Sequence, residues 1–115
     1  MAEVSKELME KAFEAIELAR STGKIKKGTN EVTKTIERQT AKLVVYAKDI
    51  NPPEVVMHLP LLGKEKGVPV IEVNSKEELG AAAGLSVPTA SVAIVKEGEA
   101  LKLIKELTGE LEKKE

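Results

Sequence analysis

The stretch Gly28-Thr29-Asn30-Glu31-Val32-Thr33-Lys34 carries the densest set of groups able to act on a ligand. Thr29 or Asn30 can cap a helix that buries Val32, Ile36 and Thr40, directly after the basic run Lys24 to Gly28. The start of such a helix presents unpaired backbone N–H groups suited to a phosphate. Asn30 and Lys34 are four apart and share a face, Glu31 stands beside Asn30, and Arg38 follows one turn beyond Lys34. An amide, a carboxylate and an ammonium within reach of one partner can read both donors and acceptors on a base edge. A carboxylate accepts from guanine N–H groups, and an ammonium donates to guanine O6 or N7. The same residues also fit an ordinary N-cap with a Glu31–Lys34 surface pair, and their types and spacing leave both readings open.

Other constellations are poorer. GxGxxG is absent, and the phosphate-loop pattern fails because Leu18 and His58 stand five positions before Gly23-Lys24 and Gly63-Lys64, where glycine is needed. Nothing around Ser21, Ser75, Ser86 or Ser91 resembles a nucleophile elbow. His58, between Met57 and Leu59, reads as a packed structural histidine, and Asp49 as a cap or turn residue. A small hydrolase built on Asp49 and His58 has no supporting motif, so no enzyme is expected. Without Cys and with one His, neither a disulfide framework nor a zinc site is expected, and no cofactor is called for.

Elements must position the 28–38 segment, and composition bounds them. The chain has 115 residues, 42% hydrophobic and 32% charged, which fits one core and a single globular domain over residues 1–115. No apolar run approaches the roughly 20 residues of a membrane helix, and the charged start is no secretory signal, so a soluble cytoplasmic protein is expected. Phe13 and Tyr46 are the only aromatics, which disfavours any nucleic-acid contact made through a stacking platform. The net charge of −1 is a cancellation: residues 20–48 hold eight basic residues against Glu31 and Glu37, while the flanking blocks are acidic. A basic island of this kind attracts phosphates and also serves plain solubility.

Leu8, Ala12, Ala15, Ile16 and Ala19 follow one helical face, predicting a helix over 3–21 that stops at Gly23. Residues 24–28 read as a short basic connector. Leu43–Ala47 reads as a buried strand, 49–53 as a turn fixed by Pro52 and Pro53, and 54–62 as a helix with a kink at Pro60. Strands follow at 68–73 and 90–95. Between them Ser75 and Glu78 form a capping-box pattern ahead of a short helix closed by Gly84, and 85–89 is a loop. Leu101, Leu103, Ile104, Leu107 and Leu111 mark a terminal helix, with 111–115 a frayed tail. Alternation of this kind calls for a largely parallel sheet between helical layers, and the fold expected is α/β, a three-layer α/β/α sandwich with a small mixed sheet of about four strands.

In this order and spacing, GTNEVTKTIER, AKDINPPEVVMHLPLL, SKEELGAAAG and SVPTASVAIV resemble the kink-turn-binding ribosomal protein family, most closely its archaeal large-subunit member. The resemblance runs from about Lys24 to Gly98. It implies a mixed-sheet sandwich that recognises a sharply bent RNA duplex with tandem sheared G·A pairs and a protruding nucleotide. The implied partners are 23S rRNA, box C/D and H/ACA guide RNAs, ribonuclease P RNA and guide-particle scaffold proteins, with a monomer expected in the absence of RNA. By the resemblance, Asn30, Glu31 and Lys34 contact the sheared G·A guanines, Gly28 and Thr29 bring backbone close to phosphate, and Lys27 and Arg38 follow the RNA backbone. Asn51, Val55 and Lys76 stand where family members hold the protruding nucleotide, and Leu85, Ser86 and Val87 form the loop packed over it. With so few aromatics, Val55, Leu85 and Val87 can offer an aliphatic wall to a flipped base.

The sequence also departs from the family pattern. Asn51 stands where an acid is frequent, Gly63 where Cys is frequent, Gln39-Thr40 where Gly follows the Arg, and Val87 where some relatives carry Arg. Relatives often begin with an extra strand that is missing here. A protein-interaction module of the same fold without RNA binding is the alternative, against which the intact Asn30, Glu31 and Lys34 set argues.

Overall fold

The strand predicted at Leu43–Ala47 lies inside the molecule because its side chains serve two cores. Leu43, Val45 and Ala47 join a cluster with Leu8, Ile16, Leu79 and Leu107, whereas Val44 joins a second with Val32, Ile36 and Leu59. The period of two along a strand produces this split, and burial on both faces accounts for the unbroken apolar run. The computed structural model describes residues 6–50 and 54–113, apart from the side chains of Val55 and residues 110–113.

In chain order the elements are α1 (Lys6–Thr22), β1 (Lys24–Lys27), α2 (Thr29–Glu37), β2 (Leu43–Ala47), α3 (Glu54–Lys66), β3 (Val70–Val73), α4 (Lys76–Ala82), β4 (Ser91–Lys96) and α5 (Leu101–Lys113), with a 3-10 turn at Gly98–Ala100. The sheet order is β1-β4-β2-β3. Helices α1, α4 and α5 cover one face, and α2 and α3 the other, giving the expected α/β/α sandwich.

The four-stranded sheet is mixed, as expected, with less parallel pairing than the alternation of elements suggests. Only β2 and β3 run parallel, while β4 is antiparallel to both β1 and β2. The physical reason lies in the connection from β3 to β4: α4 has seven residues, and the 85–90 loop brings the chain back to the end of the sheet it had just left. β4 therefore starts where β3 stops. Residues 24–27 form edge strand β1, not a connector; with one apolar residue in four, the run carries no strand signal until β4 supplies hydrogen-bond partners. Its lysines suit an unpaired edge.

Helix α3 continues through Pro60 to Lys66 and stops at Gly67, where φ is +72° and Val68 N–H donates to the Gly63 carbonyl at 2.8 Å. This is the left-handed glycine termination of a helix. Gly63 is buried: a Cβ there would meet the Val70 side chain and come 2.8 Å from the Val68 carbonyl oxygen, so its lack of a side chain lets α3 lie close to β3. The expected burial of Thr40 is replaced by that of Thr35, whose hydroxyl donates to the Val32 carbonyl at 2.6 Å. Nor is the terminal helix finished by residue 111; it continues to Lys113, in keeping with its Glu, Leu and Lys content. Where β2 meets β3, Tyr46 Oη donates to Glu72 Oε2 at 2.9 Å; burial, and then this bond, push the phenol pKa up and keep it a neutral donor.

Gln39 takes φ +57°, alone among the described non-glycine residues. A left-handed side-chain residue costs about 1–2 kcal/mol, partly offset by the lower chain entropy of the unfolded state. Gln39 Nε2 also donates to the Lys66 carbonyl at 3.2 Å, an exposed bond of small value. Gln39→Gly should therefore raise stability by about 0.5–1 kcal/mol. The check is a higher urea midpoint with an unchanged slope.

Candidate nucleic-acid interface

Sheet register collects most of the described candidate residues at one end of the molecule, while Arg38 lies at the far end of α2. Lys27 pairs with Val92, Tyr46 with Ser91, and Ala47 with Val73, so β1, β2 and β3 end at the edge where β4 begins. Segments 27–34, 48–50, 74–76 and 85–90 all emerge there, at the carboxyl ends of the parallel pair, a usual ligand position in α/β sheets.

Gly28 adopts φ +92° and ψ +142° at the start of α2, a conformation closed to other residues on backbone grounds. Its N–H donates to the Ser91 carbonyl at 3.1 Å, and its carbonyl accepts from Val32 N–H at 2.9 Å. No side chain caps α2, so the expected Thr29 or Asn30 cap is replaced by glycine backbone and the first N–H groups stay available to a ligand. Thr29 instead turns its hydroxyl to Ser91 Oγ at 3.3 Å. Asn30, Glu31 and Lys34 are all exposed, with Lys34 Nζ 3.7 Å from Glu31 Oε1. A surface pair of this kind contributes little, so a ligand can separate it at small cost.

Lys34 stands on the ridge between two open clefts. One, of about 580 Å³, includes Asn30, Glu54 and His58; the other, of about 550 Å³, includes Glu31 and Arg38. His58 is exposed, not packed, and shares a 2.9 Å hydrogen bond with Thr33 Oγ1 that ties α3 to α2. Arg38 is exposed at the C-cap of α2, and Lys27 is exposed at the end of β1.

Lys76 joins the second group of candidates through its backbone. Its N–H donates to Asp49 Oδ1 at 2.9 Å, and its carbonyl accepts from Thr89 N–H at 3.2 Å. Asp49 is thus a turn anchor, as read from the sequence, and it ties the end of β2 to α4. Ser75 Oγ accepts from Glu78 N–H at 3.2 Å, the cap expected there. Ser86 and Val87 are exposed, Val87 by 60%, but Leu85 packs in part against the core beneath α4. Of the residues expected to form an aliphatic wall, Val87 is the one whose described side chain is exposed. Asn51 lies outside the described residues, as does the Val55 side chain.

Two positioning residues escape the sequence reading. Ser91, fully buried, accepts Gly28 N–H and the Thr89 hydroxyl on one carbonyl, and so couples the start of α2 to the 85–90 loop. Its signal is a buried polar residue opening a strand, visible only once the strand is placed. Gly80 on α4 supports the same loop: a Cβ there would collide with the Val87 carbonyl oxygen and come within 3.1 Å of Pro88 Cα. Gly80→Ala should displace the loop, costing about 1–3 kcal/mol by overpacking. Thermal unfolding measures that cost, and amide shifts confined to 85–90 would locate it.

The structure is similar to that of a 15.5kD RNA binding protein from Giardia lamblia, with a TM-score of 0.90 and 36% identity, covering 97% of this chain and 93% of that one. Residues 10–104 match the model of the Ribosomal protein L7Ae/L30e/S12e/Gadd45 family. The chain belongs to that family of ribosomal proteins.

Proposed function

We propose that the protein is an RNA-binding, non-catalytic module that recognises and stabilises kink-turn RNA. One observation carries this reading: Asn30, Glu31 and Lys34 stand exposed just after an uncapped helix start, where Gly28 N–H donates to the Ser91 carbonyl that also accepts from Thr89 in the loop bearing Val87. Family membership and the RNA-binding neighbour support RNA as the ligand class. Lys34 donates to guanine O6 or N7 and Glu31 accepts from guanine N–H groups, with Asn30 completing the set across the sheared G·A pairs. Gly28 and Thr29 bring backbone N–H groups to a phosphate, and Lys27 and Arg38 follow the strand. Val87 and Ser86 cover the protruding nucleotide, with Lys76, Leu85, Val55 and Asn51 around it.

Chemistry is not required of such a protein; holding one shape of a bent RNA is enough to start assembly of ribosomal or guide particles. Met57 and Leu61, exposed by 59% and 74% one turn apart on α3, favour a protein partner beside the RNA, such as a guide-particle scaffold. A kink-turn RNA with a dye on each arm tests the function. Added protein should bring the two dyes together, with a midpoint that follows protein concentration. Arms that stay apart while RNA is bound would overturn kink-turn stabilisation.

A further inference from the structure

The cleft beside Glu31 and Lys34 does not end at the base-reading set. It runs along the groove between α2 and edge strand β1 and is lined further by Lys24, Lys26, Arg38, Lys42 and Lys96. Glu31 is the one acid among its lining residues, and it already pairs with Lys34. Among the described residues, no ion pair engages the other five cations. Register shows how far they extend: Lys24 lies opposite Lys96, and Lys42 directly precedes β2, all at the end of the sheet away from the α2 start. Nine-residue α2 measures about 13 Å, enough to follow several phosphates of one strand. Like charges directly opposite on an antiparallel pair are destabilising. The chain thus holds a concentration of positive charge that its own acids do not neutralise. The other lining residues include Thr35, Thr40 and Val95, with no aromatic ring on which a base could stack.

We propose that this groove is a phosphate track for the duplex arm leaving the bend on the α2 side, so that the protein grips a regular A-form helix beyond the nucleotides it reads. The inference rests on the RNA-binding reading above and extends the same site. The arm contributes affinity and salt dependence, with no added sequence preference.

The test uses the full chain and three kink-turn RNAs: one with both arms about ten base pairs long, and two with one or the other arm cut to about three. Wild type is compared with the K24Q/K42Q/K96Q variant and with K42Q alone, which leaves the edge strand untouched. On the long-armed RNA, the triple variant should bind about 10- to 100-fold more weakly, and its log–log salt slope should fall by about two to three. K42Q alone should lose roughly 3-fold with a slope change near one. Shortening one particular arm should weaken the wild type and remove the difference between the proteins, while shortening the other should not. Equal affinity of wild type and K42Q on the long-armed RNA, or the same loss on all three RNAs, would overturn the track. Failure of the wild type to bind any bent RNA would instead overturn the underlying reading. Should the triple variant aggregate through its edge, K42Q decides.

Discussion

Glu31→Ala should weaken kink-turn binding by about 1–3 kcal/mol, roughly 5- to 150-fold in Kd, although it removes a negative charge from a basic surface. The sign is what makes this informative. If RNA were held by charge alone, losing Glu31 would free Lys34 from its 3.7 Å partner and tighten binding. If Glu31 accepts hydrogen bonds from guanine, the donors it leaves behind go unpaired and affinity falls. Lys34→Ala should lose a similar amount, but with a shallower salt dependence, because it removes a cation as well as a base contact. Both side chains are exposed, so stability should change by less than about 0.5 kcal/mol in either variant. Fluorescence anisotropy across a salt series, alongside urea unfolding, separates the two effects. Affinity that rises in Glu31→Ala would assign Glu31 a repulsive role.

Gly28→Val should damage RNA binding and stability together. A Cβ at Gly28 meets nothing within 4 Å, so the penalty is purely one of backbone conformation at φ +92°. A β-branched residue there costs about 1–3 kcal/mol or forces the segment out of its conformation. Moving it breaks the bond from Gly28 N–H to Ser91 and turns the first N–H groups of α2 away from their ligand. RNA affinity should consequently fall by at least about 10-fold, and thermal stability with it. Gly28→Ala, milder in shape, should show the same two losses on a smaller scale. Equal affinity in both variants would mean that the start of α2 need not be held in this form.

Much of the site was legible because it is local. Asn30, Glu31, Lys34 and Arg38 lie on one helix, and helical spacing alone puts them together. The buried strands were legible for a similar reason, because Leu43 to Ala47 and Val92 to Val95 are unbroken apolar runs, but one core was expected and the sheet divides the interior into two clusters. What escaped depends on pairing between distant segments. β1 is a strand only because β4 accepts it, so the run Lys-Ile-Lys-Lys looked like a connector and its lysines looked like unplaced charge. The direction of β4 depends on a loop that doubles back, which no periodicity encodes. Ser91 and Gly80 act through a bond and a gap across the fold, and His58 was misplaced because of its two apolar neighbours in sequence only Leu59 is buried, while Met57 and His58 are exposed. The roles proposed for these residues come from the resemblance to the kink-turn-binding family and not from their spacing.

Shape and guanine edges select the RNA, while the basic groove adds affinity without sequence preference. The direct measurement is the affinity of the wild-type protein for a kink-turn RNA and for the same RNA with both G·A pairs replaced by Watson–Crick pairs, in one buffer of about 0.15 M salt. Replacement should cost about 100-fold or more in affinity, from two lost base contacts and the lost bend. Equal affinity for the two RNAs would contradict that selection and reduce the interaction to attraction between a basic groove and phosphate.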